Sequence, residues 1–246
     1  MQNPLVLAHR GFSGKYPENT RAAFLAAVAA GADGFETDVH LSKDGQLVVV
    51  HDPILGRTCD GSGAVAGKTY KELLAYDFGA WFHPDFTGER IMRIEEVLEL
   101  VKEHKLVLNI EIKNYEIVYE GIEEALIALI NRMGMKESVF LSSFNHLSMV
   151  KCKGIDSTIQ TGLLYGYPLY KAEEYILNTH ADNAHPRYFC FEEEPDLVER
   201  FHAKGRGVHT WTVNEPEDMR RMISLGTDSV ITNYPDLLIE ILKGVI

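Results

Sequence analysis

Four short pieces of the sequence carry residue types able to act on phosphate esters: His9-Arg10-Gly11, Glu36-Thr37-Asp38, His51-Asp52 and Glu111-Ile112-Lys113. Imidazole titrates near neutral pH, so His9 and His51 suit general acid–base catalysis. Glu36, Asp38 and Glu111 offer oxygen ligands with no thiol in their motifs, a set suited to one divalent cation, Mg2+ or Ca2+, rather than zinc. Arg10 and Lys113 are cations that can contact a phosphate. Trp211, within Thr210-Trp-Thr-Val-Asn214, can stack on the carbon face of a polyol or fill a core. Proton transfer, a hard cation and anion contacts are the needs of phosphodiester cleavage. Each piece alone occurs by chance; the ordered set carries the information.

Three of the four pieces end apolar runs that read as strands, at residues 5–8, 47–50 and 106–110. Apolar runs alternate with amphipathic segments along most of the chain, the pattern of a parallel sheet with crossover helices. Strands are expected at 5–9, 33–38, 106–112, 138–143, 158–164, 181–184, 206–212 and 228–232. Helices are expected at 19–30, 94–104, 117–133, 145–152, 171–178, 195–204, 215–224 and 235–243. Asn19 before Thr20, and Pro216 near a first turn, mark helix starts, and Gly31, Gly134, Gly205 and Gly226 mark ends. Eight of each predict an α/β fold, a TIM-type (β/α)8 barrel spanning 1–246 as one domain, with its chemistry at the strand ends.

The run at 46–51 is a ninth strand candidate. Asp44-Gly45 is a hairpin signal, and a two-residue turn there pairs positions that sum to 89, setting Asp38 opposite His51. Period-2 alternation puts Glu36 and Asp38 on one face, and Asn109, Glu111 and Lys113 likewise. In a barrel that face points inward, where charges are costly unless they bind something. Residues 52–93 are too long for an ordinary loop. Their glycines and aromatics predict a small insertion over the barrel mouth, either a lid or a surface excursion with a minor core.

The length suits one large α/β domain, and the composition is that of an ordinary globular protein, 46% hydrophobic and 24% charged. A formal net charge of −12 argues against nucleic acid or stable association with an anionic membrane. Cys59, Cys152 and Cys190 are too few and scattered for a disulfide framework or zinc site. No signal peptide or transmembrane span is read, so the expected setting is cytoplasmic. A homo-oligomer is compatible with the sequence. The other eight histidines, including His40, His185 and His209, read as structural.

His9-Arg10-Gly11, Pro17-Glu-Asn-Thr20, Glu36-Thr-Asp38, Asp44-Gly45, His51-Asp52, Glu111-Ile-Lys113, Ser143-Phe144 and Trp211-Thr-Val-Asn214 resemble, in order and spacing, the bacterial glycerophosphodiester phosphodiesterase family. The resemblance runs from His9 to about Tyr234. It implies a TIM-type barrel and divalent-cation-assisted hydrolysis of glycerophosphodiesters to glycerol 3-phosphate and an alcohol. It makes His9 and His51 the acid–base pair, Glu36, Asp38 and Glu111 the metal ligands, and Arg10 and Lys113 the phosphate contacts. One departure is Ile91-Met92-Arg93, where members usually place a proline after the isoleucine. Three other readings compete: a metal-independent phosphatidylinositol-type phospholipase C, a Lys113 Schiff-base lyase, and a non-catalytic glycerophosphate-binding protein.

Overall fold

Eight parallel strands close into a barrel in the computed structural model, which describes residues 3–245; residues 1, 2 and 246 of the expected domain lie outside the described residues. The barrel strands are β1 (Leu5–His9), β2 (Gly34–Leu41), β7 (Val107–Ile112), β8 (Val139–Ser143), β9 (Gln160–Tyr165), β10 (Asn183–Pro186), β11 (Gly207–Thr210) and β12 (Ser229–Thr232). Each pairs with its sequence neighbour, and β1 closes the ring on β12. Between β2 and β7 the chain adds β3 (Leu47–Val49), β4 (Ile54–Leu55), β5 (Gly63–Ala64) and β6 (Met92–Arg93). The helices are α1 (Arg21–Ala30), α2 (Tyr70–Leu73), α3 (Ile94–His104), α4 (Ile122–Met133), α5 (His146–Ile155), α6 (Ala172–Asn178), α7 (Cys190–Glu193), α8 (Leu197–His202), α9 (Pro216–Leu225) and α10 (Pro235–Leu242). Among the described residues no helix is long and apolar enough to cross a membrane.

Period-2 strands bury their outward faces beneath the helices. Phe24, Phe35, Leu98, Leu108, Ile110 and Ile122 are fully buried there, each worth about 1.5–3 kcal/mol relative to exposure. Several element starts differ from the sequence reading. The cap of α1 is Thr20, which accepts a hydrogen bond from the Ala23 amide; Asn19 has φ 59° and turns inward instead. α4 begins at Ile122 rather than 117 because Gly121 sits at φ 83°, outside the helical region. Gly31, Gly134 and Gly226 cap their helices in the left-handed conformation, whereas α8 is capped by Ala203, two residues before Gly205. The short α7 had no periodic signal.

The hairpin register is corrected by one. Val39, His40 and Leu41 pair with Val49, Val48 and Leu47, so paired positions sum to 88. Gly45, at φ 77°, closes a three-residue loop in which the Ser42 amide donates to the Gln46 carbonyl at 2.9 Å, a turn with a left-handed glycine at its last position. The ladder ends at Val49, so Asp38 and His51 are not cross-strand partners. β6 pairs antiparallel with β3, and the unusual Met92-Arg93 thereby completes a three-stranded ribbon. Between β3 and β6 the excursion has its own core of Val48, Val50, Leu55, Cys59, Val65, Leu73, Phe78 and Ile91. Of its aromatics, Trp81 and Phe82 stay exposed.

Candidate active site

Strand β1 delivers His9 to the C-terminal mouth. The backbone then turns through two positive-φ residues, Arg10 at 56° and Gly11 at 76°. A Cβ at Gly11 would lie 2.7 Å from the Ala23 backbone, so only glycine lets β1 approach α1 this closely. Arg10 donates its amide to the Glu36 carbonyl at 2.9 Å, stitching this turn to β2. Register then pairs Glu36 with Asn109 and Asp38 with Glu111. Glu36, Asp38 and Glu111 are all buried, and one oxygen from each lies within 4.8 Å of the others.

The alternative that Arg10 and Lys113 simply neutralise these carboxylates is half realised. Lys113 Nζ donates to Glu111 at 2.8 Å and lies 3.2 Å from Asp38 Oδ1. Arg10 Nε is 3.4 Å from Asp38 Oδ2. Two basic side chains against three carboxylates leave one carboxylate without a basic partner: Glu36 has no Lys or Arg side-chain nitrogen within 4.0 Å among the described residues. Burial first, then Asp38 and Glu111, push the Glu36 carboxyl well above its ordinary pKa. Burial likewise raises Glu111, against the pull of Lys113. Asp38 resists its own burial because Lys113 and then Arg10 hold it well below the carboxylate range. Its Oδ1 is nevertheless buried with no hydrogen bond. Three buried carboxylates with basic partners for only two of them fit a hard cation better than a closed ion-pair cluster.

Lys113 is likewise settled by its neighbours. Burial opposes its charge, but Asp38 and Glu111 raise its pKa above the ordinary lysine range. A lysine held protonated is a poor Schiff-base nucleophile, which weighs against the lyase reading.

Both histidines have Nδ1 engaged. His9 Nδ1 lies 2.6 Å from Asn233 Oδ1; the amide oxygen only accepts, so Nδ1 carries the proton and Nε2 presents its lone pair. That Nε2 is 3.9 Å from Glu36. Burial, then the Arg10 charge, lowers the His9 pKa to about 3. His51 Nδ1 lies 2.6 Å from Asp52 Oδ1. Its backbone carbonyl accepts from His40 Nε2 at 3.0 Å, while His40 Nδ1 accepts from the Tyr119 hydroxyl at 2.8 Å. His40 is thus structural, as its sequence context suggested, and its structural task is to fix His51.

His9, Arg10, Glu36, His51, Glu111, Lys113 and Trp211 line one cavity of about 100 Å3, floored by Asn109. A larger hollow of about 820 Å3 lies at the opposite barrel end, beside Leu5 and Asp228, and holds none of these residues. Trp211 is fixed by its indole N–H donating to the His185 carbonyl at 2.8 Å. Its ring meets Phe144 edge-on at 5.4 Å, and Phe144 meets Tyr115 at 5.7 Å. One wall is therefore aromatic and the other charged.

The structure brings together every residue that the sequence singled out for the site, and it adds several that hold them. Asn19 donates to Asp38 at 2.9 Å and accepts from Thr37 at 2.8 Å. Its place in Pro17-Glu-Asn-Thr20 was the available signal. Phe144, after the β8 strand, and Tyr115, four residues beyond Glu111, had the signal of aromatics at strand ends. Asn233 and Arg57 had none.

A model of the glycerophosphoryl diester phosphodiesterase family matches residues 9–237. The chain is 44% identical over 239 residues to the glycerophosphodiester phosphodiesterase of Caldanaerobacter subterraneus subsp. tengcongensis, covering 97% of this chain and 98% of that protein. It is similar, with a TM-score of 0.87 and 30% identity over 98% of this chain and 97% of the other, to an Oleispira antarctica phosphodiesterase solved with the product sn-glycerol-3-phosphate. The glycerophosphodiester phosphodiesterase of Agrobacterium tumefaciens superposes with a TM-score of 0.84 at 26% identity, over 96% of this chain and 98% of that one.

Proposed function

This chain belongs to the glycerophosphoryl diester phosphodiesterase family, and from that premise we propose that it hydrolyses glycerophosphodiesters to glycerol 3-phosphate and an alcohol with the help of a divalent cation. The observation that carries this reading is the buried Glu36–Asp38–Glu111 cluster in a cavity lined by two histidines whose Nδ1 atoms are already engaged. Those three carboxylates would hold Mg2+ or Ca2+, which when bound supplies a Lewis acid for the phosphoryl oxygens.

The chain's own groups divide the remaining work. His9, neutral and with Nε2 free, takes a proton from the nucleophile, either water or the substrate's 2-hydroxyl. His51, when it carries a proton on Nε2 as well as on the Nδ1 tied to Asp52, gives the Nε2 proton to the departing alkoxide and is left as the Nδ1–H tautomer. Arg10 and Lys113 hold the non-bridging oxygens and offset charge that grows in the transition state. Trp211 and Phe144 pack the glycerol carbons. A 100 Å3 cavity, small beside the ~300–1,000 Å3 of drug-sized sites, suits a compact phosphate and glycerol unit. We place the reaction in the cytoplasm on three buried, unpaired cysteines; fractionation of cells tests that.

The deciding assay is release of glycerol 3-phosphate from glycerophosphocholine by purified protein with Mg2+, with Ca2+ and with EDTA. Activity that EDTA abolishes and either cation restores supports the proposal. Turnover that survives EDTA would favour the phospholipase-C-like reading. Binding without turnover of several glycerophosphodiesters would leave the binding-protein reading.

A further inference from the structure

One guanidinium outside the cavity ties two of the site's groups to the excursion between β3 and β6. Arg57 Nη1 and Nη2 donate to the two oxygens of Glu18 at 2.9 and 2.8 Å. Its Nε and Nη2 donate to the two oxygens of Asp52 at 2.6 and 3.2 Å. Each carboxylate has a second partner in the site: Asp52 Oδ1 meets His51 Nδ1 at 2.6 Å, and Glu18 Oε1 accepts from Arg10 Nη1 at 2.9 Å. Arg57 itself lies between Leu55 and Cys59, both buried in the excursion's small core.

We infer that Arg57 is a positioning residue, through which the packed excursion fixes the His51 imidazole and the Arg10 guanidinium in their working orientations. The inference rests on the proposed reaction for its kinetic consequence, not for its geometry. Paired bidentate contacts define direction as well as strength. Asp52 is one residue from His51 and is free to rotate unless its other oxygen is held. Without Arg57, Asp52 keeps only a flexible contact, and the imidazole loses the partner that selects its Nδ1–H tautomer. Arg10 similarly loses the brace behind Glu18. Arg57 is itself partly exposed, so its ion pairs are screened and weigh little on stability. Misplacement of a catalytic group by about 1 Å, by contrast, costs about 100-fold in rate. The excursion is then a scaffold for His51 and Arg10.

The test compares Arg57→Gln and Arg57→Lys with wild type and with Arg90→Gln, a control on an exposed arginine of the same excursion, in the full metal-loaded chain. For Arg57→Gln, kcat on glycerophosphocholine should fall ~10–100-fold with little change in KM, melting temperature or Mg2+ affinity. Guanidinium ion should restore part of the rate, and Arg57→Lys, which cannot bridge both carboxylates bidentately, should fall between the two. Long-range 1H–15N correlation at a pH where the His51 ring is neutral should show its single proton on Nδ1 in wild type and a shift toward the Nε2–H tautomer in Arg57→Gln. An unchanged tautomer, or a kcat within about twofold of wild type, overturns the inference. If wild type turns over no glycerophosphodiester, the proposed reaction fails, and the tautomer comparison alone decides the role of Arg57.

Discussion

Imidazole orientation and carboxylate charge determine what individual residues can do here. His9→Ala and His51→Ala should each lower kcat at least ~100-fold while Mg2+ still raises the melting temperature, because neither ring belongs to the carboxylate cluster; quench-flow or steady-state assays with parallel calorimetry check this. Asn233→Ala should act on the same histidine more weakly. It frees His9 to adopt the wrong tautomer, and a several-fold loss in kcat with unchanged metal affinity is the expected result. The chemical capacities of His9, His51, Glu36, Asp38, Glu111, Arg10 and Lys113 were legible because residue type fixes what a side chain can do. Their partners were not. Asn233 lies 224 positions from His9, and no local pattern announces an amide that will meet an imidazole only once the barrel closes.

Elements position these residues with little tolerance, and β9–β10 gives a measurable case. A Cβ at Gly162 would stand 2.2 Å from His185 Nε2, a ring buried in the barrel with neither nitrogen hydrogen-bonded. Gly162→Ala should therefore destabilise the fold by about 1–3 kcal/mol through overpacking, read from urea denaturation midpoints. Because Trp211 is anchored on the His185 carbonyl, KM should rise as well. The ribbon shows where periodicity stops informing. Alternation placed Glu36, Asp38 and Glu111 on one inward face, and the structure agrees, since that depends only on the two-residue repeat. Hairpin register depended on whether Asp44-Gly45 closed a two- or three-residue loop, and Gly45 in the left-handed conformation decided it. Asn19 had a comparable ambiguity: Asn and Thr both cap helices, and only the demand of Asp38 for a donor assigned Thr20 to the cap.

At the scale of the whole molecule, the acidic cluster links cation binding to folding. A cation bound only by the folded state at 100 times its Kd stabilises by about 2.7 kcal/mol, so EDTA should lower the melting temperature and Mg2+ or Ca2+ restore it. Without cation, the pH dependence has a defined sign. Glu36 and Glu111 have folded pKa values raised by burial above the ordinary 4.5. As pH rises past that value the unfolded chain ionises first, the folded chain binds more protons, and stability falls until the folded groups ionise. Asp38, depressed by Lys113 and Arg10 despite its burial, gives the opposite contribution, already complete above about pH 4. Cation-free protein should therefore lose more stability above pH 5 than Glu36→Gln does, and saturating cation should erase the difference; melting curves across pH for the two proteins check it.

The sequence by itself determined the fold class, the eight strand positions to within a few residues, and the chemical inventory of the site, because apolar periodicity and side-chain type are local properties. Tertiary structure alone decided which oxygens converge, which nitrogen of each histidine is held, and how the residue 52–93 excursion meets the cavity. All but the adjacent His51–Asp52 contact depend on groups far apart in the sequence. His9 is set by Asn233, His51 by Asp52 and His40, and Asp38 by Asn19, Arg10 and Lys113. Directional hydrogen bonds and Coulomb forces at these distances exist only after the hydrophobic barrel has brought the strand ends together, so no linear pattern could have specified them.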